Sequence, residues 1–195
     1  MQRITPNTIA PNHDIFVFAR WENNLDPRYH WRQAGQWMFW RNNTVPLRAY
    51  EIDPSLAAYW RPAMDAGVVN WNVSDAPVNF TRNQSTNNRV RAGTFGISLP
   101  GYLVYYRVPG LLERFTLSLE APLIYFFADL RDVDDDLYIE SVMAHELGHA
   151  VGLEDCRRDP FGGMPNGSIM NASRCRETVR GPTGFDVDLV RMIYD

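Results

Sequence analysis

Apolar and polar positions repeat along this chain with two different periods, and the changes of period outline its elements. Residues 15–19 and 37–40 read as strands within an otherwise polar, Asn-rich opening. Residues 45–52 alternate and read as one strand. Asp53-Pro54 then supplies a capping acid and a proline for a first helical turn. Leu56, Tyr59, Trp60, Met64, Val68 and Trp71 recur at helical spacing, so a helix is expected to about residue 71, with Pro62 a blemish near its start. Residues 78–82, 90–99, 102–108 and 114–120 read as strands, the later ones set apart by Pro100-Gly101 and Pro109-Gly110 turns. Residues 123–127 read as one more, buried strand. Residues 129–136 form an acidic loop in which Asp136 can cap a helix from about 137 to 153. A loop follows, and residues 186–194 read as a closing helix. This order of elements predicts one α+β domain.

Composition narrows the class. The chain has 195 residues, enough for a domain with a substantial core. Its net charge of -4 gives no electrostatic footprint for nucleic acid or an anionic membrane. No apolar run approaches the roughly 18–20 residues that span a bilayer. All 19 basic residues are Arg, which fits codon bias better than a functional choice. The aromatic-rich N-terminal region is expected to pack on the domain, with a sugar-binding platform as the alternative.

The chemistry concentrates in His145-Glu146-Leu147-Gly148-His149. On a helix, residues i and i+4 share a face, so the two imidazoles can grip one ion. Glu146 lies beside the first His and can serve as general base toward a water activated by that ion. Gly152 follows where the helix should stop, because glycine accepts the left-handed conformation that turns the chain. A hydrolytic metal site needs a third protein ligand. No His follows His149, and His13 and His30 lie far upstream. Asp155 is the leading candidate, with Asp186, Glu177 and Glu154 as alternatives.

The segment from His145 to Asp155 resembles the extended motif of the metzincin metallopeptidases. An Asp at its last position is similar to the snapalysin group, whereas the flanking Glu140–Ala144 and Gly152-Leu153 look more like matrixins. Ser168-Ile169-Met170-Asn171 resembles the metzincin Met-turn, which would place Met170 as a hydrophobic floor under the ligands. The resemblance implies a zincin-like α+β fold: a mixed, mostly parallel twisted sheet, an active-site helix, a backing helix and a C-terminal helix after the Met-turn. Residues 36–195 would form this domain and residues 1–35 an extension packed on it. Specific motifs are confined to residues 140–171.

Cys156 and Cys175 bracket the Met-turn loop. One disulfide between them would close it, contribute about 3 kcal/mol and point to secretion. Asp132, Asp134, Asp135 and Asp136 suit a helix N-terminus, with Ca²⁺ binding as an alternative. Asn42, Asn72, Asn79, Asn83, Asn166 and Asn171 head Asn-x-Ser/Thr triplets, which mean glycosylation only in a eukaryotic secretory route.

The expected function is a monomeric zinc endopeptidase with His145, His149 and Asp155 on the metal and Glu146 as base. Its polypeptide substrate would lie extended along an edge strand within residues 93–99 or 102–106. The wall beyond the cleavage point would come from the loop between Met170 and Asp186. The rivals are a non-catalytic protein- or glycan-binding module on the same scaffold, and a metal-dependent amidase or toxin with one restricted target.

Overall fold

The structure, a computed structural model, describes residue 40 and residues 43–106, 114–153, 155, 167–171 and 174–194. The strand expected at 15–19, most of that at 37–40, the 1–35 extension, His13, His30, Glu154 and Cys156 lie outside those residues.

The molecule is α+β. In order come β1 (Thr44–Leu47), β2 (Glu51–Ile52), α1 (Ala57–Asn72), β3 (Asn79–Arg82), β4 (Arg89–Gly93), β5 (Gly101–Tyr106), β6 (Arg114–Glu120), α2 (Ala121–Arg131), α3 (Asp135–Ala150) and α4 (Gly184–Tyr194). β1 and β3 pair in parallel. The larger sheet has the order β2-β4-β6-β5. It is parallel from β2 to β6 and antiparallel between β6 and β5. β6 is buried from Phe115 to Glu120, as a strand covered on both faces should be.

Three of the expected strands differ, and helices α1 and α3 begin at N-caps Leu56 and Asp134, not at the expected Asp53 and Asp136. The strand expected at 45–52 divides into β1 and β2, which pair with different neighbours. Between them, Arg48 N donates to Asn88 O at 3.0 Å and Asn88 Nδ2 to Pro46 O at 2.8 Å, so a side chain takes over part of the ladder. The strand expected at 90–99 ends at Gly93. Beyond it the backbone N–H groups of Phe95, Gly96 and Ile97 donate to the buried Glu120 carboxylate at 2.9, 3.3 and 3.2 Å. The apolar run at 123–127 is helix, not strand. Ala121, Ile124 and Ala128 are its buried positions and share one helical face. Pro122 stands at the helix start, where its missing N–H costs nothing.

α1 packs closely on α3. Trp60, Ala63, Met64, Gly67 and Trp71 are its buried positions. At Gly67 an added Cβ would sit 3.0 Å from Glu140 O and Met143 Cβ, so glycine sets the approach of the two helices. Trp71 Nε1 donates to Ala144 O at 2.8 Å, inside the interface. Pro62 lies within α1 without ending it. Asn72 exchanges two hydrogen bonds with the Phe80 backbone, at 2.8 and 2.9 Å, and so ties the end of α1 to β3.

Asp134 is the N-cap of α3, and Asp135 and Asp136 fill its first turn. Negative charge there is favoured by the helix dipole. Asp132 closes α2 in the left-handed conformation, φ 53°. The acidic loop thus serves two helix ends.

Candidate metal centre

α3 carries both histidines, and its far end controls where the chain goes next. Val151 is the C-cap, and Gly152 follows with φ 101°. Gly152 N donates to His149 O at 2.8 Å and Leu153 N to Gly148 O at 2.9 Å, the paired bonds of a Schellman stop. Two aromatic donors satisfy the last carbonyls from outside: Trp40 Nε1 reaches Ala150 O at 2.8 Å, and Tyr194 Oη reaches Val151 O at 3.3 Å. The stop directs Leu153 O back onto the helix, where His149 Nδ1 meets it at 2.7 Å. Gly152→Ala forces a side chain into positive φ and should lower stability by about 1–2 kcal/mol, read from the denaturant midpoint.

The 168–171 turn does for His145 what Leu153 does for His149. Ile169 O lies 2.8 Å from His145 Nδ1. A carbonyl only accepts, so both imidazoles carry their proton on Nδ1 and turn the Nε2 lone pair outward. The rings stand nearly perpendicular, 82°, with centroids 4.7 Å apart. Both Nε2 atoms face Asp155 Oδ1, at 3.0 Å from His145 and 3.6 Å from His149. These three atoms converge closely enough that a cation could sit between them. Ligand atoms bound at about 2.0–2.2 Å in a tetrahedron lie about 3.3–3.6 Å apart, close to the separations seen. The ligating atoms of His145, Glu146 and His149 also fall within 4.8 Å of one another, so this group can hold a metal ion.

Burial sets the electrostatics. It depresses the basicity of His145 to about 3, helped by the neighbouring Arg174 charge. It pushes the Glu146 carboxyl up to about 7, against the pull of His149. Burial works against the charged forms of Asp155 and His149 too, but each stabilises the other's charged form, and that attraction wins. The Asp155 carboxyl is held well below the usual range and His149 is raised. Glu146 Oε2 is buried without a hydrogen-bond partner. Its other oxygen packs where Gly101 opens β5, so closely that a Cβ at Gly101 would overlap Oε1.

Met170 is fully buried. Gly148, directly before His149 on α3, leaves the space its sulfur fills, and a Cβ there would run into Sδ. The turn is held from below by Asp186, at the start of α4. That carboxylate is fully buried and accepts from Ser168 Oγ at 2.6 Å, Ile169 N at 2.9 Å, and Thr183 N and Oγ1 at 2.8 Å. Asp186, an alternative ligand on sequence grounds, has its oxygens engaged by the turn instead. Asp186→Asn replaces an acceptor with a donor among these groups. It should destabilise the protein by about 3 kcal/mol while the folded fraction keeps its metal, measured by denaturation and metal analysis side by side. Glu177, the other described alternative, is exposed in the 176–178 turn.

The expected disulfide is not present among the described residues. Cys175 is exposed with a free thiol, and Cys156 lies outside them. The Cys175 sulfur instead sits over the following turn, where hydrogen bonds with Thr178 favour its thiolate.

Fold and site together define an α+β protein with a buried His-Glu-His group able to hold a metal ion. No family model matches the sequence, and no curated protein matches it. Among solved structures, one titled "GM1 bound form of the ECX AB5 holotoxin" aligns with a TM-score of 0.46 at 16% identity, covering 78% of this chain and 80% of that chain.

Proposed function

We propose that this chain is a zinc-dependent endopeptidase of the metzincin type, with His145, His149 and Asp155 as metal ligands and Glu146 as general base. The observation that carries the reading is the convergence of two outward Nε2 lone pairs on one Asp155 oxygen, at 3.0 and 3.6 Å. Two nitrogens and one carboxylate oxygen suit Zn²⁺ and leave a fourth position open. Zn²⁺ bound there would polarise the scissile carbonyl and acidify the attacking water.

The chain's own residues supply the rest. Glu146 has an unpartnered buried oxygen and a carboxyl raised to about 7, so it can take a proton from water near neutral pH. It can then return that proton to the leaving amine. Burial keeps bulk water from competing for it. β5 ends the order of the larger sheet, and its first residue, Gly101, abuts Glu146. An extended peptide pairing with β5 would therefore run past the base.

The test is hydrolysis of denatured casein. The zinc-loaded protein should generate new peptide N-termini, 1,10-phenanthroline should stop this, and added Zn²⁺ should restore it. Tight zinc binding without any cleavage would instead point to a binding module.

A further inference from the structure

Arg174 is 1% exposed, yet among the described residues no carboxylate is one of its hydrogen-bond partners. Its Nε donates to Ser141 Oγ at 3.0 Å, and one terminal nitrogen donates to Ser141 O at 2.6 Å. The other terminal nitrogen donates to Asn171 O at 3.0 Å and lies 3.2 Å from His145 Nδ1. Burying a guanidinium without an acid partner is costly, and an apolar side chain would fill the same space with less penalty. Packing alone therefore does not account for an arginine here.

Its contacts do. Ser141 lies one helical turn before His145 on α3. Asn171 ends the turn whose Ile169 carbonyl holds His145 Nδ1. The guanidinium joins these two pieces and backs the imidazole edge. His145 Nδ1 gives its hydrogen to Ile169, so the arginine hydrogen beside it goes to Asn171. A ring that flipped would lose the Ile169 bond and press carbon against a charged donor.

We propose that Arg174 is a positioning residue for the metal centre, clamping α3 to the 169–171 turn so that His145 Nε2 stays directed at Asp155. This rests on the metal-site reading above. The planar fork is the feature that matters, because its three nitrogens are spread in one plane to meet acceptors on two separate elements, whereas a lysine offers a single nitrogen. The positive charge itself repels a bound cation, so any gain in affinity comes from geometry.

That contrast supplies the test, with Co²⁺ as probe because its visible absorption reports ligand geometry. Arg174→Lys keeps the charge and loses the fork; Arg174→Met loses both. Both should bind Co²⁺ about 10–100-fold more weakly than wild type, the range for outer-shell partners of metal ligands. Both should also show an altered d–d band. Arg174→Lys binding as tightly as wild type with an unchanged band would overturn the clamp. If neither variant folds, Ser141→Ala decides, since it removes the Nε acceptor with little loss of bulk. It should shift the band and weaken binding to a smaller degree; no change in either overturns the proposal. A wild-type chain that takes up no Co²⁺ sinks the metal reading and the clamp with it. A wild type that binds, beside variants that bind equally, sinks the clamp alone.

Discussion

Glu146→Gln should reduce peptide hydrolysis by about 10²–10⁴-fold while the zinc content stays that of wild type. The amide matches the carboxylate in shape but has no basic oxygen to receive a proton. Glu146 is not among the three proposed ligands, so the ion should remain. Metal analysis and casein cleavage on the same sample separate the two effects. Cleavage persisting at the wild-type rate would remove Glu146 from the mechanism.

The same variant reports on burial through pH. The Glu146 carboxyl ordinarily titrates near 4.5 and is raised to about 7 in the folded chain. Between those values the folded state holds a proton that the unfolded state has released. The metal-free protein should therefore lose stability as pH rises through this window, by on the order of 3 kcal/mol from this group. His145, depressed from 6.5 to about 3, acts in the opposite sense between those values. Comparison with Glu146→Gln isolates the glutamate: the variant should lack the loss and be the more stable protein at pH 7. Denaturation midpoints across pH 4–8, without metal, give the answer.

Asp155→Ala should weaken zinc binding by at least about 100-fold, more than an outer-shell change would. It removes one of the three proposed protein ligands, and the only anionic one among them. Two imidazoles alone leave the ion largely to solvent. The variant should still fold, because Asp155 is about half exposed and contributes little to the core. Zinc competition against a chromophoric chelator measures the loss. Zinc held as tightly by the variant as by wild type would remove Asp155 from the ligand set. Asp155→His offers the complementary reading: a neutral third ligand of suitable reach should restore binding that alanine does not.

The legible parts of this protein are local ones. A four-residue step puts His145 and His149 on one face whatever surrounds the helix. Gly152, at φ 101°, takes a conformation other residues adopt at a cost, which is why its position could be singled out from sequence. The apolar spacing of α1 was readable for the same reason, one face repeating over four turns. The run at 121–131 was not. Short apolar stretches look alike as strand or helix. Pro122 at the helix start and the spacing of Ala121, Ile124 and Ala128 were the available signals.

The division at 45–52 was hidden for another reason. Alternation shows that a segment is extended, but not which neighbour it pairs with. That depends on Asn88, more than forty residues away from Pro46 in the chain, whose amide stands in for part of the ladder.

By itself the sequence determined that two imidazoles and a carboxylate would share one helical region, and that the chain would turn immediately after. Those are consequences of backbone geometry over a few residues. Tertiary structure decided everything that converges on the site from elsewhere. It set Ile169 O against His145 Nδ1, which directs the Nε2 lone pair. It committed Asp186 to the turn beneath and closed Arg174 in behind the ring. It brought Asp155 Oδ1 to 3.0 and 3.6 Å from the two nitrogens. A hydrogen bond has a direction and a length but no spacing along the chain, so partners from distant segments leave no periodic trace.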